Sequence, residues 1–416
     1  MESVQKPAGA LAGPSEASLL VLGGDADNNL GDQAILRGVC HALKAQVPDV
    51  RITLVSALPW DRIAERRIPG VCAVLPRGLR HWPAVLACAA RQSGVLLAGG
   101  GLLQDDDSRI KMPYWAARLQ SLRLANPALV AVSVGAGPLI HAESRWFARR
   151  VADATRSLSV RDQAAAQCLQ TAIGRQVAVV PDPAFLLPVA ESEAAEVLLA
   201  RLGIPSGTPL IGVTLRRWFH VRGGVIPHRL RGRLGLDRGQ GAAAMQRCLD
   251  QFASALQILA NGMDGARLLL LPSYPLPHEG DLAACHALAQ RLPKLQPRIS
   301  VIRDAGLYKA VCGRLSLMIS ARMHPLILAA SMGTPIVGLG YNQKFDGLFR
   351  MLDLPGAPLS LGRLGVEDCV DELVHRARGA LVEHADIGRR AHALAERADA
   401  GISALLPSLG LVEPAR

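Results

Sequence analysis

The chain has 416 residues, half of them hydrophobic and 19% charged, which excludes a disordered polymer and supplies enough apolar surface for two large α/β cores. All but six of the 46 basic residues are arginine, and a net charge of +11 points to anionic partners: phosphates, acidic glycans, a membrane surface or nucleic acid. Aromatics are only 4%, and no helix-turn-helix, zinc-finger or aromatic–basic sheet signature accompanies the charge, so nucleic acid is set aside.

Residues 1–17 hold one lysine, proline, glycine and acids without a long apolar core, and read as a flexible N-terminus rather than a secretory signal. No uninterrupted apolar run reaches the roughly 18 residues of a membrane span; the nearest, Leu315 to Tyr341, is broken by Arg322, His324 and two prolines. The eight cysteines are scattered with no CxxC pair, which signals neither a zinc site nor a redox motif and fits a reduced, cytoplasmic protein.

Strands are expected at 18–24, 51–57, 94–101, 128–137, 157–162 and 176–187, each bounded by turn residues and followed by a helical pattern. The second half repeats the rhythm, with strands at 210–216, 267–272, 299–303, 315–320 and 335–340 and helices at about 241–261, 280–292, 306–313 and 323–332. This alternation predicts two doubly wound, Rossmann-like domains facing across a cleft, with ligands at the carboxyl ends of the strands. The expected division is 18–190, a linker region at 191–209, 210–365, and C-terminal helices over 366–416. The arginine- and glycine-rich stretch Gly223 to Gly239 reads either as a loop over the cleft or as a plain surface insertion.

Four segments carry chemistry. In GGDADNNLGDQAIL, from Gly23 to Leu36, a strand runs into a loop and Gly31-Asp32 opens a helix. Amides at that helix start would bind an anion or a sugar hydroxyl, with Asp32 as N-cap or base; the plain alternative is a capped turn. In AGGGLLQDDDSR, from Ala98 to Arg109, glycines let a backbone approach a ligand closely, and one of the aspartates could accept a proton from a hydroxyl, unless all of them merely cap and solvate the turn. TLRRWFH, from Thr214 to His220, puts two arginines at a strand end, where guanidinium forks suit a carboxylate or phosphate; the bland reading is a surface pair. In LMISARMHPLILAASMGTPIVGLGYNQKF, from Leu317 to Phe345, Arg322 and His324 interrupt an otherwise apolar run, and Lys344 brings another cation to the same rim. A lone buried histidine is often a satisfied core residue, but the adjacent arginine favours function.

In this order and spacing, the segments resemble the polysaccharide pyruvyl transferase family, from N-x-GD-x-AI through GGG-LLQD, SVRD, DPAF and LR-W to R-x-H-P-L-I and Y-x-x-K, between Gly23 and about Leu354. The resemblance implies a GT-B-like fold and transfer of a pyruvyl group from phosphoenolpyruvate (PEP) to a sugar as a cyclic ketal, with PEP as co-substrate and no further cofactor or metal. It implies that Arg216, Arg322 and His324 bind PEP, with Lys344 and Arg217 as additions. It places Asp32, Gln104 and Asp105 on the facing domain nearer the acceptor, where Asn29, Gly31, Gly100, Gly101 and Asp106 would line its site. Met323, Ala98 and Arg217 stand where the family usually has leucine, glycine and proline; none removes a group the chemistry needs.

Ketal formation needs protonation of the enol methylene, attack at C2 by two hydroxyls in turn, and loss of phosphate. His324 is the candidate acid or phosphate ligand, and Asp105 or Asp32 the candidate base. The acceptor is expected to be a sugar of a cell-surface polysaccharide or its lipid-diphosphate-linked precursor, with peripheral contact at the inner face of the membrane absorbing surplus positive charge. A nucleotide-sugar glycosyltransferase would instead need a ribose-gripping carboxylate, for which Glu279 and Asp281 are weak candidates. A non-catalytic member of a polysaccharide assembly complex is the third reading, against which the joint presence of Arg216, Arg322, His324 and Asp32 stands.

Overall fold

The computed structural model describes residues 17–23, 29–105, 108–216, 242–277 and 279–413. The first half forms β1 (Ser18–Leu22), β2 (Arg51–Ser56), β3 (Val71–Pro76), β4 (Gly94–Leu103), β5 (Leu129–Ala136), β6 (Ser157–Val160) and β7 (Ala178–Val179), in the order β3-β2-β1-β4-β5-β6-β7. The second half forms β8 (Leu210–Thr214), β9 (Arg267–Leu270), β10 (Arg298–Ile299), β11 (Leu317–Ser320), β12 (Ile336–Gly340) and β13 (Leu359–Ser360), in the order β10-β9-β8-β11-β12-β13. Neighbouring strands are parallel throughout; Val21, for example, lies between Leu54 and Leu96. The central strands are predominantly apolar because helices cover both faces of a parallel sheet, and β1 and β8 are buried at every position. Two doubly wound α/β sheets are therefore present, as expected.

Some boundaries differ. β3 and β13 are edge strands absent from the expected set; β3 is half-exposed over its first residues and β13 has only two, so neither presents a long apolar run. The expected strand 176–187 shrinks to β7 followed by a 3-10 turn, Pro183–Leu186, because Asp182 caps that turn by accepting from the Ala184 N–H. Segment 191–209, expected as a linker, carries the helix Ser192–Arg201, which packs on the helix Ala305–Cys312.

The two halves share one hydrophobic core: Leu30, Ile35 and Phe185 of the first meet Met318, Leu326 and Phe345 of the second. Polar ties cross the same junction. The Leu30 N–H donates to the Ser273 carbonyl (3.1 Å), Arg37 pairs with Asp304 (2.6 Å), and Lys309 Nζ donates to the Leu187 carbonyl (2.7 Å). The C-terminal helices divide between the halves. Val370–Glu383 packs on the helix Ala242–Asn261 of the second, whereas Ile387–Ser403 returns to the helix Leu30–Gln46 and the 3-10 turn of the first. The carboxyl ends of the central strands of both sheets consequently meet at one junction.

Candidate functional site

The second sheet contributes three adjacent strand ends. Arg216 follows β8, Arg322 and His324 follow β11, and Tyr341 and Lys344 follow β12. Adjacency in the order β8-β11-β12 explains why residues more than a hundred positions apart form one cluster; it surrounds the point where strand order reverses, where such sheets leave a crevice.

The cluster is partly self-neutralised. Arg322 Nε lies 3.2 Å from both oxygens of Asp281, Nη2 lies 2.5 Å from Oδ1, and Nη2 also lies 3.2 Å from Glu279. Burial works against the Arg322 charge, but the Asp281 and Glu279 carboxylates hold its proton more firmly than usual. Asp281 is fully buried, opens the helix Asp281–Arg291 and also accepts from the Tyr274 N–H (3.0 Å). Ser320 fixes the turn beneath by donating to the Arg322 carbonyl (2.7 Å) and accepting from the Arg322 N–H (3.0 Å). Arg322 is thus not the uncommitted anion fork that the sequence suggests; two carboxylates orient it.

Arg216 stacks on the Tyr341 ring, its guanidinium carbon 4.2 Å from the centroid. Lys344 Nζ donates to the Tyr341 hydroxyl. Burial raises the Tyr341 pKa, but Arg216, Lys344 and Arg322 together outweigh it and bring the phenol to about 7.

His324, at the start of the helix Met323–Ala330, reaches across the junction. Nε2 faces Asp182 Oδ2 at 3.5 Å, just long of a hydrogen bond, and neither atom has another partner. Its other face rests on Gly31, where a Cβ would come within 2.2 Å of Nδ1. Burial raises the Asp182 pKa, but His324, Arg161 and the Ala184 N–H outweigh it and keep the carboxyl below its ordinary range. From the first half, Gln104 and the buried Arg161 line a small cavity with Asn342 and Lys344. Arg161 Nε lies 3.3 Å from Asp162, and its guanidinium occupies the space left by the missing side chain of Gly135. Among the described residues, no group of three or more His, Cys, Asp or Glu side chains is placed to hold a metal ion.

The sequence profile of the polysaccharide pyruvyl transferase family matches residues 29–343, most of the chain, and spans the cluster just described up to Tyr341. The chain belongs to this family. A comparison with curated proteins finds no match. Among solved structures, the chain is similar to a putative UDP-N-acetylglucosamine 2-epimerase from Listeria monocytogenes (TM-score 0.56, 15% identity, 94% of this chain and 96% of that one). It is also similar to the UDP-GlcNAc 2-epimerase of Methanocaldococcus jannaschii (TM-score 0.54, 11% identity, 91% and 99%). A third is Anabaena Alr3699/HepE in complex with UDP and glucose (TM-score 0.51, 12% identity, 93% and 99%). At these identities the likeness is one of fold, the two-domain GT-B-like arrangement.

The acceptor-side expectations need revision. Asp105 is not placed as a base. It is fully buried, Oδ1 accepts from the Ile140 N–H (2.9 Å), and Oδ2 accepts from the His141 N–H (2.9 Å) and lies 3.0 Å from His141 Nδ1. Burial raises its pKa, but these bonds more than reverse that, so it is a poor proton acceptor whose task is to hold the 138–141 turn. The helix start at Gly31 is not an open anion site either. Asn29 caps it, its side chain accepting from the Gly31 and Asp32 N–H groups, its carbonyl accepts from Gln33, and Ser273 takes the Leu30 N–H. Asp32 is therefore not the N-cap; it lies half-buried in the first turn.

Glycines 99–101 fall within β4, which runs two residues beyond the expected 94–101. Gly99 brings Ile35 against the strand (2.7 Å to a built Cβ), a packing need, while Gly101 faces Gln104 and Gly100 holds a left-handed φ of +88° that suits glycine. Arg217, Asp106 and the stretch Gly223 to Gly239 lie outside the described residues. Asp182, Arg161 and Tyr341 escaped the sequence reading as site residues, although DPAF, SVRD and Y-x-x-K carry them, and Asp281 was read only as a weak ribose candidate, not as the partner of Arg322.

Proposed function

We propose that this member of the family transfers the enolpyruvyl group of PEP to two hydroxyls of a sugar in a cell-surface polysaccharide or its lipid-linked precursor, forming a pyruvate ketal and releasing phosphate. The observation that carries this reading is the convergence of Arg216, Arg322, His324 and Lys344 from three adjacent strand ends around one crevice. PEP presents a carboxylate and a phosphate on one small carbon frame, and clustered guanidinium and ammonium groups are its natural counterpart.

On this reading Arg216 and Lys344 supply the charge that the donor meets, while Arg322, gripped by Asp281 and Glu279, contributes from a fixed orientation. His324, backed by Asp182, serves the leaving phosphate, and Gln104 and Arg161 approach from the opposing half, where the sugar would enter. Reactive hydroxyls and donor would then be held together in a site closed on both sides, which lowers the entropic part of the barrier. Asp281 speaks against a nucleotide-sugar glycosyltransferase, because its carboxylate already serves Arg322 and the Tyr274 N–H and has little left for a ribose. Peripheral docking on an anionic membrane, which would present a lipid-linked acceptor, fits the net charge of +11. Among the described residues no helix is long and apolar enough to cross a membrane.

PEP binding by calorimetry tests the reading directly. Each charge-assisted bond lost is worth about 1.5–3 kcal/mol, so Arg216→Ala weakens binding on the order of 10- to 150-fold, and His324→Ala abolishes phosphate release while the fold persists. Failure of the wild type to bind PEP, or unchanged affinity in Arg216→Ala, overturns it.

A further inference from the structure

The mechanism so far leaves one acidic group in the crevice without a task. Tyr341 is 38% exposed at the crevice, yet its ring is fixed. Phe345 meets it edge-on at 5.4 Å and 67°, Arg216 covers a face, and Lys344 bonds the hydroxyl. Phe345 itself is fully buried, so it is a rigid backstop. Three elements press charge on this ring: Arg216 from the end of β8, Arg322 from the end of β11, and Lys344 from the helix Lys344–Met351. Behind them, Asp281 and Glu279 act on Arg216, and Arg161 acts on Lys344. A tyrosine needed only as a platform for Arg216 would not require an ammonium on its hydroxyl.

We propose that Tyr341 is the proton donor to the enol carbon of PEP, and that its phenolate and the donor anion compete for Arg216 and Lys344. This rests on the reading of the crevice as a PEP site. In the step, the C2=C3 π pair of PEP takes the proton from Tyr341 Oη to form C3–H, and the first acceptor oxygen bonds to C2. The C2–O bond to phosphate then breaks, and the second acceptor oxygen bonds to C2. Of the two hydroxyl protons, one restores the phenol and the other leaves on phosphate, so no further reactant is needed. Competition makes the donor switch on its own acid. In the empty crevice the cations favour phenolate, and burial alone would not; the phenol sits near 7. When PEP engages the same cations they no longer stabilise phenolate, and the hydroxyl is protonated when it is required to give a proton.

The test is PEP binding by calorimetry from pH 6 to 9, with transfer rates, for the wild type and Tyr341→Phe. A phosphate ester completes its own ionisation near pH 6, so changes above pH 7 belong to the protein. Wild-type affinity is expected to fall by up to tenfold per pH unit above about 7, and the Tyr341→Phe profile to be flat. At pH 6 the variant should bind PEP within about threefold of wild type but transfer at least about 100-fold more slowly, the range of a lost general acid. Phenolate absorbance near 295 nm on the unaltered protein gives an independent reading: one tyrosine should ionise near pH 7 and be reprotonated by PEP. Transfer by Tyr341→Phe within tenfold of wild type overturns the proposal, as do superimposable pH profiles or a phenolate signal indifferent to PEP. Absence of PEP binding in the wild type, by contrast, brings down the PEP reading itself.

Discussion

Replacing Gly31 by alanine tests whether His324 acts where the structure holds it. A Cβ at Gly31 would lie 2.2 Å from Nδ1, 2.6 Å from Cγ and 2.8 Å from Cε1 of the imidazole, well inside the 3.4 Å at which ordinary contact begins. The ring must therefore move by more than an ångström. Asp182 stands on its far side at 3.5 Å, so the ring tilts off that axis or the two halves part. Displacements of about 1 Å at a reacting centre cost on the order of 100-fold in rate, and that is the loss expected in kcat/KM for phosphate release from PEP. Fold stability responds differently. Gly31 has no left-handed φ and lies in the first turn of the helix Leu30–Gln46, where alanine is the better helix former by at most ~1 kcal/mol. Thermal unfolding should thus stay within a few degrees of wild type while activity collapses. Turnover within about threefold of wild type would mean that His324 position is immaterial to the reaction.

Asp105→Asn is expected to behave oppositely. It disturbs the bonds to Ile140 and His141, costs about 1–3 kcal/mol in denaturant unfolding, and leaves the kcat of the folded fraction within tenfold of wild type; a 1,000-fold kcat loss would restore Asp105 as a base. Because the folded-state pKa of Asp182 lies below its ordinary 3.8, its stabilising contribution is present above that value and disappears on acidification; Asp182→Asn should flatten stability between about pH 5 and 3. Lys309 is 7% exposed and burial depresses its pKa to about 8, so the unfolded chain binds more protons between pH 8 and 10.5. Stability should therefore rise across that window by up to ~1.4 kcal/mol per unit, and the rise should be missing in Lys309→Met.

The central strands were legible because parallel strands buried on both faces are nearly continuous apolar runs, short and bounded by turn residues. The edge strands β3 and β13 were not, since an edge is short and half-wet by construction. Arg216, Arg322, His324 and Lys344 stood out because charge inside an apolar run demands a partner. What sequence spacing does not carry is which partner. Asp281 is forty-one positions from Arg322, and Asp182 lies on the opposite half from His324, so both pairings arise only when the strand ends are brought together. Asp105 misled for the same reason: an aspartate after a glycine-rich strand reads alike whether its oxygens are vacant or filled by the turn that follows.

The crevice answers the problem of keeping several cations together before any anion arrives. Buried charge without a partner is costly, so Arg161 leans on Asp162 and Arg322 on Asp281 and Glu279, whereas Arg216 and Lys344 meet over Tyr341. These partners differ in how readily they release a cation. The carboxylates hold their arginines in place through close ion pairs, but a phenol yields by taking up a proton, so exchange with an incoming donor belongs at the tyrosine. The two carboxylates on Arg322 are unequal as well. Asp281 is fully buried and meets Arg322 through both oxygens, whereas Glu279 meets it at 3.2 Å and its side chain is 14% exposed. Removing the Asp281 charge should cost about 3–5 kcal/mol of stability through a stranded buried arginine. Glu279→Gln should leave the fold intact and remove one negative charge from beside the anion site. At an effective dielectric near 20 a single charge several ångströms away is worth on the order of 1–2 kcal/mol, so PEP binding should tighten about 5- to 30-fold. Weaker binding in that variant would show instead that Glu279 aims Arg322, and that both carboxylates are needed to present it to the donor.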